Sequence, residues 1–528
     1  MAGKTGQRIR QFCFIRAKNM TEPTPAAIDS ELVIGLVSAT GTENSEVIRL
    51  LEERLGQAGY STVLVKISKS VIPLIYKVPS YGRDNYKRIS SLMDAGNKAR
   101  KSFGDEVLAR GAAAWIYGYR EEQGKLGKAL SKTAFIIDSL KRPEEVHDLR
   151  LIYPSGFVLI GIHADETQRK DHLVQDLGVA EPMALDLIHR DQEESKVEHG
   201  QRVNQTFHLA DFFVRISQNS QRLRCDIQRM VELWFGNPFI TPTFDEHAMF
   251  MAFSSALRSA DLSRQVGAVI SRDSQILSTG ANDCPKAGGG LYWPERRPGD
   301  GRISDAENGR DYMRPDGDSN RAEQNRIIKQ IVDAAKVRLK INPRALTRLL
   351  NESVICDLTE YGRVVHAEME AILSCARSGL STLGTTLYST TFPCHNCAKH
   401  IIAAGIDRVV YVEPYPKSKT LDFHDDSIST ARDNRDGSRH RVKFHPFVGI
   451  GPRRFFDLFS MQLSSSYRLI RKHKDTGEAK KWNIQNAHVR IEMKPTSYLD
   501  LEEVAFTFFA DIPRIAKSGS AARRRTTR

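Results

Sequence analysis

Apolar residues along the chain alternate between two spacings. The run Leu32-Val33-Ile34-Gly35-Leu36-Val37 is continuous, as in a strand covered on both faces. After a turn-rich stretch, Ser38 to Asn44, apolar residues recur at Val47, Leu50, Leu51 and Leu55, the spacing of one helical face. Ser61-Thr62-Val63-Leu64-Val65 then reads as a second strand. Strand, loop, helix and strand make the opening unit of a parallel sheet with helices packed on it. Ala134-Phe135-Ile136-Ile137, before Asp138, and Phe157-Val158-Leu159-Ile160-Gly161-Ile162 continue the pattern. Gly236, Pro238 and Pro242 cluster between Trp234 and Thr243, and this first domain is expected to end there.

A second pattern follows. It predicts a helix from His247 to Ala260, then strands Val266 to Ile270 and Gln275 to Thr279 joined by the turn Arg272-Asp273-Ser274. Residues 286 to about 350 read as an insertion. Gly288-Gly289-Gly290 and Pro298-Gly299-Asp300-Gly301 make one half loop-rich, and Ala322 to Leu350 predicts helix. The core pattern resumes with a helix after His366, a strand Thr385 to Ser389, a helix Asn396 to Ala404 and a strand Arg408 to Val412. Gly405 stands where a helix C′ residue would. The expected architecture is α/β throughout. It has an arm over 1–30, a parallel-sheet domain over 31–240, an α/β/α domain over 245–515 with its insertion at 286–350, and a basic tail over 516–528.

Composition narrows the class. At roughly 100–200 residues per domain, a chain of 528 residues holds two to four domains. No apolar stretch approaches the roughly 18 residues of a membrane span, and the basic N-terminus lacks the apolar segment and cleavage site of a secretory signal. Seven cysteines are too few for a disulfide scaffold, so metal or redox chemistry and a cytoplasmic setting are expected. The charge balance, 77 − 64 = +13, suits polyanionic partners, nucleotides as well as nucleic acids. Arg523, Arg524, Arg525 and Arg528 are a candidate RNA or DNA contact, but a solvated tail accounts for them better.

The chemistry concentrates in Val365-His366-Ala367-Glu368 and Pro393-Cys394-His395-Asn396-Cys397. Zn²⁺ favours thiolate and imidazole ligands, and a catalytic site keeps three protein ligands with one position for water. His366, Cys394 and Cys397 supply three, and a helix starting near Pro393 puts both sulfurs on one face. Glu368 is placed to shuttle protons as catalytic acid and base. The order H-x-E, then P-C-x-x-C, is the signature of zinc nucleobase deaminases. A structural zinc would want a fourth Cys or His, for which Cys356, Cys375, His395 and His400 are candidates. In the expected reaction, hydroxide made available near neutral pH attacks cytosine C4, Glu368 protonates N3, and ammonia leaves.

The segments Gln265-Val266-Gly267-Ala268-Val269-Ile270, Gly280-Ala281-Asn282-Asp283-Cys284-Pro285, His366-Ala367-Glu368 and Thr391-Phe392-Pro393-Cys394-His395-Asn396-Cys397 resemble the deoxycytidylate deaminase family over about 250–415. The resemblance implies that Asn282 contacts the substrate sugar. Arg264, Tyr415 and Lys417 are candidate phosphate contacts, each equally well explained as surface charge or packing. The long insertion and the extra N-terminal domain depart from the simple enzyme. A P-loop-kinase-like domain fused to a cytidine-deaminase-like one resembles the bacterial anti-phage dCTP deaminases, including at Tyr411-Val412-Glu413-Pro414-Tyr415-Pro416-Lys417-Ser418. That implies conversion of dCTP, and often dCMP, to the uracil nucleotide, depleting a DNA precursor. Pairing of subunits is also expected.

The loop from Gly35 through Gly41 to Ser45 occupies the place of a phosphate-binding loop, yet no lysine precedes Ser45 and Glu43 adds a negative charge. Phosphoryl transfer is therefore not expected. A regulatory nucleotide, a docked RNA or phage factor, and an inactive scaffold remain open for this domain. Rival functions are a regulated dCMP deaminase of pyrimidine biosynthesis, an RNA- or DNA-editing deaminase, and an RNA- or protein-binding module with a structural zinc.

Overall fold

The computed structural model describes residues 30–512 apart from positions 78, 80, 195–196, 217–219, 316, 340–341, 359, 416–418, 431–440, 466, 494–497 and 511. The N-terminal arm, Lys417 and the basic tail with Arg523, Arg524, Arg525 and Arg528 lie outside the described residues. The chain forms two compact units, one from Met1–Thr241 with Arg453–Arg528, the other from Pro242–Pro452.

The first unit is built on β1 (Leu32–Ser38), β2 (Ser61–Lys66), β3 (Thr133–Asp138), β4 (Phe157–His163) and β5 (Phe212–Arg215). They pair in parallel in the order β5-β4-β1-β3-β2. Every residue of β1 and β4 is buried, which the continuous apolar runs anticipate for strands covered on both faces. Helices α1 (Ser45–Gln57), α2 (Asn85–Phe103), α3 (Val107–Glu122), α4 (Pro143–Ile152), α5 (Glu181–Glu193) and α6 (Ser220–Trp234) accompany the sheet. The loop after β1 lies where the chain order switches sides, β3 on one flank and β4 on the other. Open parallel sheets place their binding crevices at such a point.

Residues 453–515, expected from chain order to continue the second domain, pack instead with the first unit. The buried Arg120 of α3 pairs with Glu502 at 2.8 Å and with Glu31. Tyr153 donates to Glu502 at 2.8 Å, and Tyr498 to Glu31. Chain order misleads here because a buried guanidinium needs its carboxylates wherever they come from.

The second unit holds α7 (Phe244–Ala256), β6 (Gly267–Arg272), β7 (Gln275–Ala281), α8 (Ser319–Leu339), α9 (Pro343–Asn351), α10 (Ala367–Arg377), β8 (Thr386–Ser389), α11 (His395–Ala403), β9 (Arg408–Tyr411), β10 (Ile428–Thr430) and β11 (Val442–Pro446). The sheet order is β10-β11-β9-β8-β6-β7. β6 runs antiparallel to both β7 and β8, whereas β8, β9, β11 and β10 are mutually parallel. Gly280 lets α10 close on β7: a Cβ there would stand 2.1 Å from the carbonyl oxygen of Ala367. The helix expected over 322–350 is two helices, α8 and α9. Asn342 caps α9 from its side chain and Pro343 opens it, and a proline inside one long helix would have cost a hydrogen bond.

Candidate active site

Two helix N-termini converge at the zinc-ligand motif. His366 is the N-cap of α10, so Glu368 falls in its first turn; Cys394 is the N-cap of α11, so Cys397 follows one turn on. The Nδ1 of His366 lies 3.3 Å from the Sγ of Cys397 and 3.4 Å from that of Cys394. Tetrahedral zinc with bonds of about 2.0–2.3 Å sets ligand edges near 3.5 Å, so the spacing fits the ion. Hydrogen bonding from Cys397, reinforced by His366, pulls the Cys394 thiol down to about 3, while the same bond and burial push Cys397 up. His366 is raised, chiefly by its contact with Cys394. The trio thus shares protons that a divalent cation would replace, and the positive helix ends favour the thiolates. Among the described residues the metal-binding group has three members, as a catalytic rather than a structural zinc requires. Of the candidates for a fourth ligand, Cys375 is buried against Ser278 and His400 is bonded to the Asn396 carbonyl.

Glu368 stands against the trio. Its Oε2 lies 3.4 Å from the Sγ of Cys397, and its Oε1 accepts a hydrogen bond from Ser389 at 3.0 Å. A cavity of about 240 Å³ opens onto His366, Glu368 and Cys394, with Arg264, Asn282 and Phe392 on its walls. Asn282 accepts from the Val266 amide at 2.7 Å and donates to the Arg264 carbonyl at 2.8 Å, so it holds the wall that carries Arg264. Tyr415 is buried and lies outside the cavity lining.

Three polar residues that sequence reasoning missed come from the 286–350 segment: Asp311, Asp318 and Asn320 line the cavity. The stem of that segment is an antiparallel bridge between Asp283 and Val365, each next to a site residue. Arg310 pairs with Asp283 at 3.1 Å and Arg363 with Asp311 at 2.8 Å. The segment is therefore one wall of the cleft, a role hidden while its glycines read as loop. Ser389 and Glu413 were also missed. Glu413, fully buried, accepts from the Phe392 amide at 3.2 Å and steadies the turn before Cys394. An acid inside the apolar stretch ending at Pro414 was the available signal for Glu413; a serine ending a strand signals nothing.

Residues 242–413 match the family described as "Cytidine and deoxycytidylate deaminase zinc-binding region". The deoxycytidylate deaminase of Enterobacteria phage T4 is 32% identical over 176 residues, 32% of this chain and 77% of the phage protein. The chain belongs to the deoxycytidylate deaminase family. Its second unit is a zinc-dependent cytosine-nucleotide deaminase domain. Among solved structures, the dCMP deaminase of cyanophage S-TIM5 with dCMP and dUMP aligns at 17% identity and TM-score 0.21, over 40% of this chain and all of that one. Shikimate kinase from Acinetobacter baumannii with shikimate aligns at 12% identity and TM-score 0.22, over 39% of this chain and 94% of that one.

In the first unit, Gly35 sits mid-strand in β1, and Gly41 and Ser45 bracket the loop that leads into α1. Gly41 has φ +87°, and a Cβ on it would meet the Arg169 carbonyl at 2.8 Å. Several of the loop's polar groups bond within the chain, while the buried Thr42 Oγ1 and Asn44 Oδ1 have no hydrogen-bond partner among the described residues. The Thr40 amide donates to the buried Asp191 carboxylate at 2.7 Å. Lys141 reaches the Ser38 carbonyl at 2.8 Å and lies 3.7 Å from Asp191. Asn44 donates to Asp138 at 2.8 Å, and Ser45 to Glu43 at 2.7 Å.

Proposed function

We propose that this protein hydrolyses the exocyclic amine of free deoxycytidine nucleotides, dCTP to dUTP and dCMP to dUMP, and so draws down dCTP in defence against phage. The observation that carries the reaction is a carboxylate, Glu368, set against the His366–Cys394–Cys397 trio at the floor of a cavity. Zinc, when held by the trio, supplies Lewis acidity toward water. Glu368 moves the protons: of the two on water, one ends on N3 and one on the departing ammonia. Phe392 and Val266 offer the base an apolar surface, and Arg264 a cation for phosphate.

A free nucleotide is favoured over a polymer by the likeness to deoxycytidylate deaminases, whose name gives a free nucleotide as substrate. A second reading, a regulated dCMP deaminase of nucleotide biosynthesis, is favoured by the name of the phage T4 relative. For the first unit, the pairing of a parallel sheet with a loop lacking its lysine supports a kinase-like scaffold retained for control, a docking surface rather than a catalyst. Incubating the purified full chain with dCMP, dCTP, CTP, deoxycytidine and single-stranded DNA tests the substrate. Uracil from dCTP and dCMP is expected; uracil from the polymer alone would overturn it.

A further inference from the structure

Glu368 is aimed by a residue that no part of the zinc motif contains. Ser389 ends β8 and is completely buried; its Oγ donates to Oε1 of Glu368 at 3.0 Å. The strand end that carries it is pinned on both sides. Thr390 donates from its amide to the Gly267 carbonyl at 3.0 Å and accepts the Gly267 amide on its side chain at 3.1 Å. The Thr391 amide lies 3.4 Å from Ser389 Oγ as a further donor. Ser389 is absent from the cavity lining, whereas Glu368 is part of it, so the serine reaches a nucleotide only through the carboxylate.

The two oxygens of Glu368 therefore have unlike surroundings. Oε1 receives the hydroxyl proton of a fixed strand residue, and Oε2 faces the sulfur of Cys397 at 3.4 Å. The terminal torsion of a glutamate is broad and two-fold, so without a donor the carboxylate has no fixed plane. With one, the carboxylate is restrained through Oε1, and Oε2, beside Cys397, is the oxygen that Ser389 does not hold.

We propose that Ser389 is a positioning residue for the deamination, holding Oε1 of Glu368 so that Oε2 is the atom that receives and returns the proton. The inference rests on the deaminase function proposed above. In the overall step cytosine and water give uracil and ammonia. The C4–O bond forms, the C4–N bond breaks, and Oε2 carries the protons from water to N3 and to the leaving amine.

The test compares wild type, Ser389→Ala and Ser389→Thr as full chains loaded with zinc. Ser389→Ala is expected to lose kcat by about tenfold to a hundredfold, the scale of a misaimed catalytic group. Its KM, its zinc content and its dUMP affinity by calorimetry should stay at wild-type values. Ser389→Thr keeps the hydroxyl and should recover most of the lost rate. If threonine prevents folding, Ser389→Cys, a weaker donor, should fall between serine and alanine. Wild-type kcat in Ser389→Ala would overturn the proposal. So would a lowered kcat accompanied by equal loss of zinc or of dUMP binding, which marks a merely structural serine. A wild-type chain that deaminates no nucleotide sinks the function itself; an active wild type matched by Ser389→Ala sinks only this inference.

Discussion

Glu368 occupies the first turn of a helix whose N-cap, His366, is a candidate zinc ligand, so a single turn fixes its distance from the candidate metal site. Of the carboxylates that line the cavity among the described residues, Glu368 contacts the trio, whereas Asp311 is engaged by Arg363 and Cys284. Glu368→Ala is therefore expected to lower turnover by about 10²–10⁴, with metal analysis still finding close to one zinc per chain. Loss of zinc together with activity would recast Glu368 as a support for the ligands. That His366, Cys394, Cys397 and Glu368 would come together was legible in the sequence, because zinc chemistry allows few residue types at few spacings. The two roles of Asn282 were only half legible. The family resemblance implies a substrate contact, a proposal, whereas its bonds to the backbone around Arg264 exist only once β7 is folded. Ser389 and Glu413 act through neighbours brought together by the sheet, and no local pattern reports that.

At the scale of elements, the loop after β1 combines the position expected of a phosphate site with a carboxylate bonded to one of its amides. Strand, glycine and helix survive, and the apolar periodicity displays them. What it could not display is Asp191, some 150 residues on, whose carboxylate accepts the Thr40 amide. Full-chain calorimetry with ATP, which carries no cytosine, is expected to show no binding at this loop. Asp191→Ala releases the Thr40 amide and Lys141 together and is expected to create measurable affinity for ATP or pyrophosphate. ATP binding to wild type that Asp191→Ala leaves unchanged would contradict this. The insertion was recognised as an interruption from its glycines and prolines, yet its function depends on the Asp283–Val365 stem, which sets its ends beside Asn282 and His366. The division of its helical half at Pro343 was written in the sequence and outweighed there by the apolar periodicity on either side.

Across the whole molecule, the first unit is closed by the far end of the chain. Arg120 is shared between Glu31 and Glu502, and those two carboxylates lie more than 450 residues apart in sequence. Neighbouring segments usually pack together, and that expectation assigned 453–515 to the wrong partner. Glu502→Ala leaves a buried guanidinium short of one partner, and such losses cost about 3–5 kcal/mol. Thermal or denaturant unfolding should show that loss while zinc content stays near one per chain. An unchanged midpoint would mean that Glu31 alone satisfies Arg120.

The two units otherwise divide the work. The second holds the deaminase domain, and control is the role proposed for the first. Ammonia release from dCTP and dCMP by the full chain, followed with zinc bound, after chelation and after zinc is restored, tests that division most directly. The account predicts equal amounts of ammonia and uracil nucleotide, lost on chelation and regained with zinc. No ammonia from either nucleotide while one zinc per chain stays bound would contradict it, and would make the site structural.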